Sequence, residues 1–86
     1  MIDYNSADIY KNRYGLSSSS NIDDIITPGS YRMSAMNSSN NSPVTNGMLL
    51  VFRQSGTTVQ LCLSSTASDI YIRIYWTTKW FDWVKI

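Results

Sequence analysis

Apolar and polar positions alternate with a period of two through much of the chain, the pattern of half-buried β-strands. In "SYRMSAM", residues 30–36, Tyr31, Met33 and Ala35 share one face while Arg32, Ser34 and Met36 share the other. "VQLCL", residues 59–63, sets Val59, Leu61 and Leu63 against Gln60 and Cys62. "IYIRIYW", residues 70–76, sets Ile70, Ile72, Ile74 and Trp76 against Tyr71, Arg73 and Tyr75. "MLLVFR", residues 48–53, is apolar nearly throughout, as expected of a strand covered on both faces. The closing "WFDWVKI" places Trp80, Asp82 and Val84 in one phase and Phe81, Trp83 and Lys85 in the other. Turn-forming stretches separate the strands: "NSSNNSPVTNG" at 37–47, "QSGTT" at 54–58, "SSTASD" at 64–69 and "TTK" at 77–79.

The first part of the chain reads differently. Ser6 can cap a short helix running to Tyr14, with Gly15 as its stop. Ile2, Ile9 and Leu16 recur every seven residues, but polar residues fill the rest of that seam, so no coiled coil is expected. "SSSSN" at 17–21 reads as a flexible link. In "IDDIITPGSY", Pro28-Gly29 marks a tight turn feeding the first strand. Asp23 and Asp24 read as caps of a helical turn rather than as an acid–base pair. The expected fold is therefore mainly all-β. It is a small antiparallel sheet or partial barrel of about five strands, after a short N-terminal helix or coil lead-in.

Composition narrows the chemistry. A single domain of 86 residues buries a small core, and Cys62, its one cysteine, cannot form an internal disulfide. Cys62 is expected to act as a small buried hydrophobe, which leaves oligomerisation as the staple for so small a domain. The chain has no His, which excludes a Ser–His triad and a His-based metal site. Its six acids are all Asp, mostly in turns, with no recognisable catalytic pair, so neither enzymatic activity nor a cofactor is expected. Seven Lys/Arg against six Asp/Glu form no basic stripe, and no nucleic-acid partner is expected. No apolar run approaches the roughly 18 residues of a membrane span, so membrane insertion is not expected either. The many Ser, Thr, Asn and Tyr residues suit a neutral, hydroxyl-rich partner.

The order of short motifs resembles the knob domains of phage and phage-derived pyocin tail fibres. Those domains open with Leu/Ile-Asp-Asp/Asn-aliphatic and Thr-Pro-Gly-x-Tyr. They continue with an apolar strand, a Gln-containing strand, an aromatic-x-Arg strand and a closing Trp-x-x-Trp. Here these elements read "IDDIITPGSY", "NGMLLVF", "VQLCL", "YIR" and "WFDWVKI", in that order. "SADIYKNRYGL" is similar to connectors that join modules along such fibres. The resemblance implies a fibre connector at 1–21 and a knob domain at 22–86. It implies a homotrimer at the tip of a virion tail fibre or of an extracellular phage-tail-like particle. It also implies non-enzymatic attachment to bacterial surface polysaccharide or lipopolysaccharide, or else a structural trimerisation or spacer module with no ligand of its own. The polar 37–47 loop and Trp76 in a short final link depart from the pattern.

On this reading Thr27, Pro28, Gly29 and Tyr31 build the first turn. Gln60 serves a backbone hydrogen bond or a sugar hydroxyl. Arg73 between Tyr71 and Tyr75 offers planar donors and ring faces to a sugar, and would serve equally at a subunit contact. Trp80 and Trp83, three apart, point to opposite faces of an extended strand, so one is expected to close the core against Ile70, Ile72 and Ile74. Trp76 is the most exposed candidate for a ligand contact.

Overall fold

A computed structural model of the chain describes residues 11–86. Six strands follow in sequence: β1 (Gly29–Met33), β2 (Gly47–Gln54), β3 (Thr57–Ser64), β4 (Ile70–Trp76), β5 (Lys79–Trp80) and β6 (Val84–Lys85). They form one open antiparallel sheet in the order β1-β2-β3-β4-β5, with β6 also on β4. The sheet does not close, so the barrel alternative is not realised. There is no α-helix among the described residues. Two 3-10 turns, Ile22–Asp24 and Ser38–Asn40, lie in the connections.

Local chemistry explains the hairpins. Ser55 and Gly56 join β2 to β3, and both have positive φ (49° and 83°), the combination a two-residue hairpin loop requires. Past β5 the register slips by one residue: between the pairs Tyr75–Trp80 and Ile72–Val84, three residues, Phe81–Trp83, stand opposite two of β4, and the chain resumes pairing as β6. Most of the Ser6–Tyr14 helix expected from the sequence lies outside the described residues. Its described end is extended: Asn12 and Leu16 bridge Ser30 and Met33 in parallel, covering the free edge of β1. The stretch assigned to a connector thus packs, over residues 11–21, on the sheet, and Leu16 is buried in the core.

The core occupies one face. Tyr31 and Met33 of β1, Leu49 and Val51 of β2 and Cys62 of β3 point into it. Leu16, Ile22, Ile25, Met36 and Val44 cover them from the lead-in and the long β1–β2 loop. That loop is ordered by its asparagines. Asn37 and Asn40 form a reciprocal capping box, and the buried Asn40 amide donates to the Ser18 and Ser20 carbonyls at 2.8 and 2.6 Å.

The opposite face reverses one expectation. The Ile70, Ile72, Ile74 and Trp76 face was expected to be the core side, but the core lies on the Tyr71–Arg73 side. Strand register builds three apolar rows across the other face. The first runs Met48, Leu63, Ile70 and, through its N–H on the Ile70 carbonyl, Ile86. The second runs Leu50, Leu61, Ile72 and Val84. The third runs Phe52, Val59, Ile74 and Phe81, whose N–H donates to the Ile74 carbonyl. No described segment covers these rows.

Cys62 sits at the centre of the covered face with no exposed surface. Burial pushes its thiol from 9.0 up to about 12, with the Arg73 charge acting in the opposite sense. The folded-state value is raised, so the stability tied to the neutral thiol is present below about pH 9 and lost as pH climbs toward 12. Denaturant titrations of the native chain should lose about 1.4 kcal/mol per pH unit across that window. A Cys62→Ala chain, compared at each pH, should lack that increment. In the folded protein the thiol should also stay unmodified by a thiol-specific chromogenic reagent at mildly alkaline pH.

Candidate functional site

The residues singled out by the sequence separate into two groups. Gln60, Arg73, Trp80 and Trp83 meet on the covered face, whereas Trp76 ends β4 on the open face, 53 % exposed. Gln60 opposes Arg73 across β3 and β4 and is fully buried. Its Nε2 donates to the carbonyls of Ile22 and Ile25 at 2.6 and 2.9 Å, and its Oε1 accepts from Arg73 Nε at 2.9 Å. Both ends of the amide are used by the protein itself, so Gln60 serves backbone carbonyls rather than a sugar.

Arg73 is the hub. It is 6 % exposed, and its Nη2 donates to Asp23 Oδ1 at 2.7 Å. Its guanidinium lies 4.1 Å from the Trp80 ring centroid and 4.5 Å from that of Trp83. Two indoles therefore hold the cation while a carboxylate balances it. Burial pulls the Arg73 pKa below its ordinary value, and the Asp23 hydrogen bond and charge act the other way. The group stays cationic, as a guanidinium does in proteins. The Trp80 indole N–H donates to the Asp23 carbonyl at 3.2 Å, and that of Trp83 to the Asn41 carbonyl at 2.8 Å.

Both tryptophans thus stand on one side of the sheet, and neither closes a core against Ile70, Ile72 and Ile74. The reason is the extra residue at Phe81–Trp83, three residues standing opposite Arg73 and Ile74, which breaks the alternation that an extended strand would impose. Tyr71 packs against the core and Tyr75 stacks edge-on against Trp80, with ring centroids 5.3 Å apart. The Tyr71–Arg73–Tyr75 face is therefore internal in large part. A shallow groove of about 420 Å³ passes over the cluster, with Asn41, Asp82 and Trp83 among its lining residues.

Thr27, Pro28, Gly29 and Tyr31 form a separate clamp. The Tyr31 hydroxyl donates to the Thr27 carbonyl at 2.5 Å, and Arg13 Nε donates to the Pro28 carbonyl at 2.9 Å. The Tyr14 ring meets Tyr31 edge-on, with centroids 5.5 Å apart.

Sequence reasoning missed Asp23. It is not a helix cap: Asn21 caps the Ile22–Asp24 turn by accepting from the Asp23 N–H, which frees the Asp23 carboxylate for Arg73. Asn41 Nδ2 donates to the same carboxylate at 2.9 Å and to Asn21 Oδ1 at 3.1 Å. The only sequence signal was a turn-borne acid in a chain with a strand arginine flanked by aromatics, and it does not name the partner. Comparison with protein-family models, with curated proteins and with solved structures finds no match for this chain.

Proposed function

We propose that the chain is a non-enzymatic tip module of a trimeric phage or phage-tail-like fibre, which attaches to bacterial surface polysaccharide or lipopolysaccharide. One observation carries this reading. Four of the short motifs of the knob-domain resemblance, dispersed along the sequence as "IDD", "VQLCL", "YIR" and "WFDW", meet as one connected cluster, with the Thr-Pro-Gly-x-Tyr turn and the "NGMLLVF" strand outside it. Asp23 and Trp80 are 57 positions apart and share a hydrogen bond, and Gln60, Arg73 and Trp83 complete the contact set. A motif order whose members depend on one another physically is better support for the resemblance than the same motifs would be as independent short matches. Two of the aspartates are committed to ion pairs, Asp23 with Arg73 and Asp69 with Lys85, which supports a binding rather than a hydrolytic role.

The groove over the cluster is the polar surface best suited to a glycan. The Trp83 ring supplies an apolar face, and the Asn41 amide oxygen and the Asp82 carboxylate supply acceptors for hydroxyls. The assembled chain should be retained on a panel of immobilised bacterial polysaccharides and lipopolysaccharides, weakly per site and more strongly when several sites engage. Asp82→Ala should cut retention about tenfold without changing the assembled mass. The burial of Arg73 favours a second reading, a structural trimerisation or spacer module with no ligand. Absence of retention across the whole panel by a fully assembled chain would decide for that reading.

A further inference from the structure

The sheet face opposite the core is the largest unexplained feature of the molecule. Three consecutive cross-strand rows from β2 to the C-terminal strand are wholly apolar, and no described segment lies on them. Seven of their side chains or neighbours are strongly exposed: Met48 47 %, Phe52 43 %, Ile74 39 %, Trp76 53 %, Phe81 46 %, Val84 59 % and Ile86 74 %. Taking about 200 Å² for a large apolar side chain, these seven present on the order of 700 Å² to solvent. That is already above what a monomeric protein leaves bare, about 300–600 Å². The half-buried Leu50, Leu61, Leu63 and Ile72 add to it. The total approaches the about 800 Å² that each partner buries in a specific interface.

The chemistry of the face selects its occupant. None of the described aspartates stands in these rows. Arg32, opposite Met48, and Lys79, opposite Trp76, stand at the margins. The centre thus offers neither hydrogen bonds nor charge, and its complement is another flat apolar sheet face. The chain carries such a face itself. The other strongly exposed large apolar residues, Tyr14 and Ile26, lie outside these rows and cannot serve. We infer that this face is the homomeric interface, covered by the same face of further copies of the chain packed sheet against sheet at about 10 Å. The inference rests on the exposed rows alone, and it names the surface by which the proposed fibre tip would assemble.

The test is sedimentation of the full chain at tens of micromolar, alongside Ile74→Lys and Val84→Lys, with Thr45→Lys on the covered side as control. The parent and control should assemble. Each face variant should associate at least about a hundredfold more weakly, because a buried unpaired ammonium opposes the interface, with its β circular dichroism unchanged. If a lysine variant fails to fold, cysteine variants replace it. Val84→Cys should be joined between chains by a short bis-maleimide and Thr45→Cys should not, with buried Cys62 silent. A monomeric parent overturns the inference. So does assembly indifferent to both lysines, an outcome that leaves glycan attachment by the groove standing. A monomer that co-sediments with phosphatidylcholine vesicles also overturns it, assigning the face to lipid.

Discussion

Arg73→Ala should abolish the fold or lower its stability by about 3–5 kcal/mol, the usual cost of removing one partner from a buried ion pair. Arg73 is buried while Asp23 is about one-third exposed, so the loss is asymmetric. Asp23 regains water when Arg73 is absent, but Gln60 Oε1, fully buried, loses the donor it has now. Trp80 and Trp83 lose the cation between them, and the cavity left behind sits beneath the Ile22–Asp24 turn. Asp23→Asn should cost less, about 1–2 kcal/mol, because an amide oxygen still accepts from Nη2 and the site is partly hydrated. Arg73→Lys should fall between the two, since an ammonium cannot make the Nε and Nη2 bonds in one plane. Denaturant midpoints at fixed chain concentration would rank the three. Equal losses for Arg73→Ala and Asp23→Asn would show that Arg73 does not act through the buried side of this cluster.

The second large effect is predicted for Gly47→Ala, at the start of β2. A Cβ at this position would lie 1.9 Å from the Leu63 carbonyl oxygen and 3.0 Å from its carbon. Both are backbone atoms of the neighbouring strand and cannot rotate away. β2 and β3 must separate there, disturbing the pairs of Gly47 with Ser64 and with Met33. A loss of about 3 kcal/mol or more is expected, at the upper end of overpacking. Gly56→Ala is the informative comparison. Nothing lies within 4 Å of its added Cβ, but its φ is +83°. That change should cost only about 1–2 kcal/mol, for the left-handed backbone alone. Thermal melts of the two variants would separate a steric block from a conformational penalty.

The strands of this fold are legible in the sequence because period-two alternation is a local property. "VQLCL" and "IYIRIYW" sit inside β3 and β4, and "MLLVFR" lies within β2. The phase of β3 and of β4 was also readable. The side that faces the core was not. Alternation separates Ile72 from Arg73, but it cannot tell that Arg73 meets a carboxylate from a turn 50 positions earlier. Once Asp23 and the Ile22 and Ile25 carbonyls satisfy Arg73 and Gln60, the polar side can be buried, and the apolar side is left bare. The Asn/Ser loop misled for the same reason. Asn40 looks like a solvated loop residue, yet it is 4 % exposed and ties the loop to Ser18 and Ser20. Trp80 and Trp83 were separated by assuming continuous extension, which the break at Phe81–Trp83 removes.

The bare face also gives "MLLVFR" its meaning. Leu49 and Val51 are buried within the chain, while Met48 and Phe52 await a second cover. In the proposed assembly, further copies would complete the doubly covered strand expected from its composition. Trp76, expected to be a ligand contact, then belongs to the assembly surface instead.

Native mass spectrometry of the intact chain tests the central claim most directly, that this module works as an assembled fibre tip. A dominant species of three times the 9.8 kDa of one chain is expected. A single species of 9.8 kDa at the same concentration, folded by circular dichroism, would contradict it.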